Sequence, residues 1–555
     1  MRVSASVTGL SFDKSFMEVR VKTNPNRFWA VVILLGWAFD FLFWKKPLGI
    51  NFAIFVTLCI LTGILLLRAD ALRLARGSSL LLLPVAFLAV MTFIRLEPMT
   101  VFLSVSVALF FLGVFALTYL GGEWIRYTLL DYAFGYLSLF GSMIARPLGF
   151  ISENRRLPSG QPALSEKRGA QVCPVIRGIV IALPVIAIFA SLLSSADPIF
   201  ANRFKDFIDV FRIDNLPEYI FRLAYILILA YLLAGTFLHA AQKSDEKVEE
   251  KTRVSPFLGF TESTIVLGSV VLLFIAFVVI QFQYFFGGQT NISVEGYTYS
   301  EYAVKGFGEL VTVAFFSLLL LLGLGAITRR ETENQRRTFS ILSVGLMGLV
   351  IVMLIAAFQR LGLYEAAYGF SRLRTYTHVF MIWLGLLLVA VVILEVLRRE
   401  RLIGLGMILA ALGFVVSLNV LNVDAFIVRQ NIQREIRSST DQTFAQGRAD
   451  LDAQYFLDLS EDSVPPLVSA FHSKSMPVSV KEKIGAALAC KQYERKQDTR
   501  TYPWQSFHFS RWNANIGFTA VKKELATYKI TDKDWPFQVK TPSGQEFPCY
   551  QSYYD

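Results

Sequence analysis

The chain has 555 residues, of which 54% are hydrophobic, and its mean hydropathy is +0.49. This composition excludes a string of soluble domains and indicates an integral membrane protein. The net charge of +11 does not indicate nucleic acid as a partner, because Lys and Arg cluster in short loops between apolar segments.

Eleven apolar segments pass the length test for crossing a bilayer, which takes about 20 residues of helix. The first is expected to stay in the membrane as an anchor, since no small-residue cleavage site follows it. The sequence predicts an all-α polytopic membrane protein with a transmembrane domain at 28–421. Its predicted spans are 28–44, 48–67, 79–94, 99–120, 174–194, 219–239, 264–286, 310–328, 339–358, 378–397 and 402–421.

Basic loops predict the orientation. Alternate loops carry clustered Lys and Arg, which are retained on the cytoplasmic side of a membrane. We therefore place the N-terminal segment 1–27 in the cytoplasm, and an odd number of spans places the C-terminus on the non-cytoplasmic side. The clearest basic group is Arg329, Arg330, Arg336 and Arg337.

Residues 121–173 form a cytoplasmic connection in this scheme. Segment 125–145 is aromatic and amphipathic, so we predict an interfacial helix there, with a further span as the alternative. A crossing at this point would reverse the sidedness of everything that follows. Pro158, Gly160 and Pro162 predict a linker after it.

Residues 422–555 have the composition of a small, mainly helical extramembrane domain. Residues 424–460 predict a helix that continues out of the last span, and 480–495 and 505–528 predict two more. A partly extended tail is expected after Thr541. Trp504, Trp512 and Trp535 are candidate core residues of this domain.

Two of the four cysteines, Cys490 and Cys549, fall in this C-terminal domain. In an exported domain they are candidates for a disulfide, and in a cytoplasmic domain they would stay as buried thiols. The redox state of the pair therefore tests the predicted orientation.

Charged residues interrupt the apolar pattern at Asp40 and in four clusters on the predicted outer side. Charge at membrane depth costs roughly 2.5 to 3.5 kcal/mol per residue, and it normally persists when it is paired or faces a cavity. These positions are therefore candidates for ligand binding. They are Asp40, Asp197, Glu301, Lys305, Glu309, Glu365, Arg372, Arg374, Asp424, Arg429 and Asn431.

Plainer interpretations exist for several of them. An aspartate before a proline, as at position 197, is also typical of a helix N-cap. The acidic and basic residues at 301, 305 and 309 have the spacing of a solvated helix face. Arginines near a span end also place their charge at the lipid interface. The sharper hypothesis predicts that four residues lie close together on the outer side: Asp197, Glu301, Arg374 and Asp424.

These clusters resemble a known family. The runs Ser-Ala-Asp-Pro-Ile-Phe at 195–200 and Asn-x-Asp-Ala-x-Ile-x-Arg-x-Asn at 422–431 look like those of a bacterial family of multi-pass membrane proteins catalogued as a domain of unknown function. Further similar runs lie at 299–310, 364–376 and 451–465. The resemblance implies a similar arrangement of spans, in a bacterial inner (plasma) membrane, and implies no activity.

The sequence leaves three classes of function open. We expect an outward-facing charged vestibule that recognises a ligand, a lipid headgroup or a protein partner, and such a protein should pair its acids and bases with each other. A membrane enzyme acting on a lipid-linked substrate, with a glycosyltransferase-like architecture, should bring carboxylates together beside a groove. A secondary transporter should expose a cavity that reaches mid-bilayer.

Motif searches narrow these classes without choosing one. The chain has no phosphate-binding Gly-rich loop, no His-Glu-x-x-His pair and no Gly-x-Ser-x-Gly elbow, and it has only four histidines. We therefore expect no metal site and no cofactor. Membrane lipid and a lipid-linked or anionic small ligand are the expected partners, and nucleic acid is not.

Overall fold

The computed structural model describes residues 24–156, 216–242, 256–286, 307–440, 450–531 and 537–549, apart from Gly122 and Ser475, and also Leu193. The chain divides into two compact units: Met1–Phe41 with Phe140–Gln242, and Leu42–Leu139 with Lys243–Asp555. Regular structure in the described residues is helical except for one small sheet. The predicted helical class is confirmed.

Eleven helices in the described parts of the chain are long and apolar enough to cross a membrane, and two of them, Arg76–Ile94 and Glu400–Leu421, each combine two helical segments. A helix satisfies its own backbone hydrogen bonds, as hydrocarbon requires. The helices up to residue 421 are α1 Pro25–Phe43, α2 Ile50–Ala69, α3 Arg76–Ser79, α4 Leu82–Ile94, α5 Pro98–Thr118, α6 Leu129–Arg156, α7 Leu216–Ala240, α8 Phe260–Phe286, α9 Phe307–Ile327, α10 Glu333–Tyr368, α11 Arg372–Val396 and α12 Ile403–Leu421.

Ten of these candidate spans coincide with predicted ones, which confirms the multi-pass architecture. The predicted span 174–194 lies outside the described residues. The eleventh candidate is Leu129–Ser152, within α6. Helix α10 runs far beyond the predicted 339–358: its 36 residues extend over about 54 Å, so residues 364–368 form its last turns.

In the unit Met1–Phe41 with Phe140–Gln242, α1 and α7 pack antiparallel. Gly36 permits the close approach, because a Cβ there would lie 2.6 Å from the carbonyl oxygen of Ile226. The second half of α6 packs at the end where α1 begins and α7 finishes, with Phe150 against Phe28 at 5.2 Å between ring centroids. The length and composition of this segment also allow a span, so its interfacial placement stays a prediction.

In the unit Leu42–Leu139 with Lys243–Asp555, the helices form a continuous bundle. Helix α4 packs between α2 and α5, α12 packs on α5 and α11, and α10 packs on α8, α9 and α11. The centre of the group formed by α8, α9, α10 and α11 is the fully buried row Leu346, Met347 and Val350 of α10.

The helix ends of this unit divide into two sets. At one end, loops meet the C-terminal domain: Ile50 N donates to Phe507 O at 3.1 Å, and Leu96 N donates to Asp462 Oδ2 at 2.8 Å. At the other end lie the basic loops, where Arg330 pairs with Glu400 at 3.2 Å. The loops predicted to share a side are thus found together, while the identity of the cytoplasmic end stays a prediction.

The C-terminal domain packs on the span ends through a core shared with α12. Its elements are helices α13 Val423–Thr440, α14 Tyr455–Asp458, α15 Val464–Phe471, α16 Val478–Gln497 and α17 Phe509–Leu525, and strands β1 Lys529–Thr531, β2 Gln538–Lys540 and β3 Glu546–Pro548. The strands form an antiparallel sheet in the order β1-β2-β3, with Ile530 opposite Val539 and Val539 opposite Phe547. Val539 is fully buried.

Three expectations for this domain meet different outcomes. The helix predicted to continue from the last span over 424–460 is interrupted at Asn422, whose φ of 54° is left-handed and separates α12 from α13. Its predicted extent is also wrong, because residues 450–454 are not helical. Trp504 and Trp512 are not core residues, since they are 59% and 49% exposed, and Trp535 lies outside the described residues. The Cys490–Cys549 disulfide is present.

Candidate functional site

We define the ion-pair cluster as Glu97, Arg372, Tyr376 and Asp424. Its first member, Glu97, is the N-cap of α5. Glu97 precedes Pro98 at the start of α5, and its carboxylate accepts hydrogen bonds from the backbone of Met99 and Thr100 at 2.9 and 2.7 Å. Only 2% of Glu97 is exposed. Tyr376, on α11, donates its hydroxyl to the same carboxylate at 2.5 Å.

A two-pronged ion pair forms the centre of the cluster. Arg372 Nε and Nη2 donate to the two oxygens of Asp424 at 2.8 and 2.7 Å. Asp424 is completely buried and also accepts from the backbone of Ser460 at 2.6 Å. The pair therefore joins the start of α11, the start of α13 and the C-terminal domain, and Glu97 lies 4.0 Å from the guanidinium.

Asn431 clamps the turn before α11. Its side chain accepts from Phe370 N at 2.7 Å and donates to Phe370 O at 2.9 Å. The preceding residue, Gly369, has a φ of +82°, and a Cβ there would lie 2.8 Å from Asn431 Oδ1. Glycine is needed at this position for both reasons. Asn431 thus positions the turn that presents Arg372.

The other residues of the 364–376 motif also have protein partners. Glu365 is 3% exposed and lies 2.9 Å from His378 Nδ1. Arg374 donates to Gly369 O and stacks over the ring of Tyr364 at 4.0 Å. The motif is a network in which each charge contacts an acid, a carbonyl or a ring.

Asp40 has its ion-pair partner within the unit Met1–Phe41 with Phe140–Gln242. It is 2% exposed and accepts from Arg222 Nε at 2.8 Å, with a second bond from Nη2. The hydroxyl of Tyr225 also donates to it. Burial of Asp40 in α1 is thus compensated by two side chains of α7.

Some candidates do not join these networks in the described residues. Asp197, Glu301 and Lys305 lie outside the described part of the chain, so the approach of Asp197 and Glu301 to Arg374 and Asp424 stays a prediction. Glu309 is described and is exposed, in the first turn of α9.

A cavity of about 150 Å³ lies beside the ion-pair cluster, between the end of α4 and helices α13, α15 and α17 of the C-terminal domain. Arg95, Arg429 and Asp462 line it together with apolar groups that include Ile94 and Phe509. Two guanidinium groups therefore share the cavity with one carboxylate, which leaves a net positive charge. The volume holds a few water molecules or one small oxyanion.

The cavity carries polar groups with unused capacity. Arg95 donates Nε to Asn419 O at 2.7 Å, and Arg429 is exposed. Burial raises the pKa of Asp462, whose carboxylate accepts from Leu96 N. The buried side-chain oxygen of Asn422, also in the lining, has no hydrogen-bond partner. This arrangement can bind an anion through arginine.

Sequence reasoning missed several of these residues. Arg95 and Glu97 lie in the short turn between two spans and resemble an ordinary helix boundary. An acid and a base between apolar segments could nevertheless have identified them as candidate site residues. Arg222, the partner of Asp40, was also missed. A basic residue in the first turns of a span was the signal that could have identified it.

His508, which precedes α17 and contacts Thr92 of α4, is expected to make the packing of the C-terminal domain on the spans sensitive to acid. This residue is 3% exposed, and burial lowers its pKa to about 4, helped by the charge of Arg511. The unfolded chain takes up the proton first as pH falls from 6.5 towards 4, so stability is lost across that window, by on the order of 3 kcal/mol at most. We expect thermal unfolding midpoints to fall over this range and His508→Gln to flatten the dependence. An equal acid dependence in both proteins contradicts this.

Comparison with known proteins adds one match. A family model described as a domain of unknown function, DUF4153, matches residues 82–470, more than two thirds of the chain. The range includes the ion-pair cluster and the cavity residues Arg95, Arg429 and Asp462. No curated protein and no solved structure matches the chain.

Proposed function

The chain belongs to the DUF4153 family, a domain of unknown function, and from this premise we propose that its cavity recognises the phosphate of a lipid headgroup on the non-cytoplasmic side of the membrane. The predicted resemblance to a family of unknown function is confirmed by the match. The activity has to be argued from the geometry of the chain itself.

The observation that carries the proposal is the position of two arginines in a cavity at the level of the span ends. Ile94 is the last residue of α4, and Asn422 directly follows α12. Lipid phosphates lie at this depth, and arginine binds phosphate with two parallel hydrogen bonds. The apolar part of the lining suits the glycerol and first methylenes of a lipid.

The pairing of the other charges supports recognition over the alternatives. Asp424, Glu365 and Asp40 each contact a basic side chain. Paired acids and bases are what the recognition hypothesis predicts, and they leave these carboxylates as structural supports. The ion-pair cluster then holds the C-terminal domain against the spans and so shapes the cavity.

The test is titration of the purified protein with water-soluble short-chain phosphatidylglycerol, followed by tryptophan fluorescence. Phosphatidylcholine of the same chain length is the control ligand, because its choline cation compensates the phosphate, whereas the positively charged cavity should favour a headgroup with a net negative charge. We expect Arg429→Gln to weaken phosphatidylglycerol binding about tenfold, or about 1.4 kcal/mol. Arg429 is exposed, so this change does not disturb a buried contact.

Arg437→Gln is the matched control, because it removes an exposed arginine from the same helix outside the cavity lining. Its affinity should equal that of the unchanged protein. Equal losses in both variants, or equal binding of the two lipids, would contradict the proposal.

A further inference from the structure

We propose a second phosphate-binding site, built around Arg146 of α6 in the unit Met1–Phe41 with Phe140–Gln242. Arg146 is 8% exposed. Its Nε donates to Ser142 Oγ at 2.8 Å, while its buried Nη1 has no hydrogen-bond partner. The site uses none of the cavity residues, and it stands whether or not the proposed function is correct.

The charge of Arg146 has no acidic partner among the side chains that the structure describes. No carboxylate of that part of the chain lies within the 4.0 Å that defines an ion pair. The acid described in this unit that is deeply buried, Asp40, is taken by Arg222. A buried cation without a partner is destabilising, so the site favours an anion that enters from outside the chain.

Polar neighbours complete the site. His239 Nδ1 lies 2.8 Å from Ser142 Oγ, so imidazole, hydroxyl and guanidinium stand in a row. The backbones of α6 and α7 touch here, since a Cβ on Gly235 would lie 2.4 Å from Met143 Cα. The row is therefore held between two closely packed helices, and the guanidinium supplies charge-assisted donors for a phosphate oxygen.

The surroundings favour a lipid as the source of the phosphate. His239 is the last residue but one of α7, which places the row at the end of a candidate span, where phospholipid phosphates lie. Phe140, Ile144 and Leu148, on the same part of α6, are 59%, 63% and 60% exposed. One face of this segment is thus apolar and exposed, which suits contact with acyl chains, while the other holds the cation.

The experiment measures thermal stability of the full-length protein in nanodiscs of phosphatidylcholine, with and without added phosphatidylglycerol, and separately with inorganic phosphate. We expect phosphatidylglycerol to raise the unfolding midpoint of the unchanged protein. With Arg429→Gln present in every protein compared, so that the binding proposed for the cavity is weakened throughout, Arg146→Gln should lose most of this shift, and its phosphatidylglycerol affinity should fall about tenfold. Arg146→Lys, which keeps a charge, should retain part of it.

Arg126→Gln is the matched control, because it removes an exposed arginine shortly before the same helix and should keep the whole shift. In phosphatidylcholine alone, whose choline cation compensates the phosphate, Arg146→Gln should be at least as stable as the unchanged protein, since it removes a buried charge that lacks an anionic partner. A shift with inorganic phosphate alone identifies free phosphate as a source for the same site. Equal lipid shifts in Arg146→Gln and Arg126→Gln overturn the proposal.

Discussion

Replacing Arg372 by Met lowers the free energy of unfolding by about 3 to 5 kcal/mol, because it leaves the carboxylate of Asp424 buried without a counter-charge. Asp424 is completely buried and receives two bonds from Arg372. The measurement is unfolding by SDS titration in mixed micelles. Since the pair also joins the C-terminal domain to the spans, proteolysis of that domain should become faster.

Two companion variants separate this effect from a general loss of charge. Arg372→Met with Asp424→Asn should recover most of the stability, because position 424 then carries no charge and its amide oxygen still accepts from Ser460 N. Arg500→Met removes an arginine from a similar two-pronged pair on the surface and should change little. An Arg372→Met protein as stable as Arg500→Met would show that the buried pair does not fasten the domain.

Loss of the Cys490–Cys549 disulfide is expected to cost about 4 kcal/mol, the chain-entropy value for closing a loop of 59 residues. The two half-cystines are 1% and 4% exposed and belong to the core of the C-terminal domain. Cys549→Ser should therefore lower the thermal midpoint and increase protease sensitivity of α16 and the sheet. Cys59→Ser, at the half-buried free cysteine of α2, is the control and should have little effect.

The redox state of the Cys490–Cys549 disulfide also indicates the side of the membrane on which the C-terminal domain lies. In protein denatured without reductant directly from cells, Cys490 and Cys549 should resist alkylation, as expected on the non-cytoplasmic side, where disulfides form. Full alkylation of both thiols before reduction would place the domain in a reducing compartment and would remove the outer-side assignment of the cavity.

The spans could be predicted because apolar length is a local property of the sequence. Ten helices coincide with predicted segments, and local patterns also give α16 and α17. The break at Asn422 was missed because a left-handed residue between two helical runs changes only one backbone conformation. The length of α10 was missed because its last turns are polar enough to resemble a loop.

The candidate residues could be found, but not their partners. Arg372 and Asp424 were identified from charge at the membrane boundary, while Glu97 and Tyr376 are 279 positions apart and meet through helix packing that no local pattern encodes. The same holds for Asp40 and Arg222, which are separated by 182 positions. Exposure of Trp504 and Trp512 was also unpredictable, since tryptophan is equally typical of cores and of lipid interfaces.

Photo-crosslinking with phosphatidylglycerol that carries a photoreactive group near its phosphate is the most direct test of headgroup recognition in the cavity. We predict crosslinked peptides from the start of α13, around Arg429, and from the start of α17, around Phe509, both of which line the cavity. Crosslinking at these peptides should fall in Arg429→Gln and persist in Arg437→Gln. Labelling that spares both peptides while marking other parts of the chain would contradict the account.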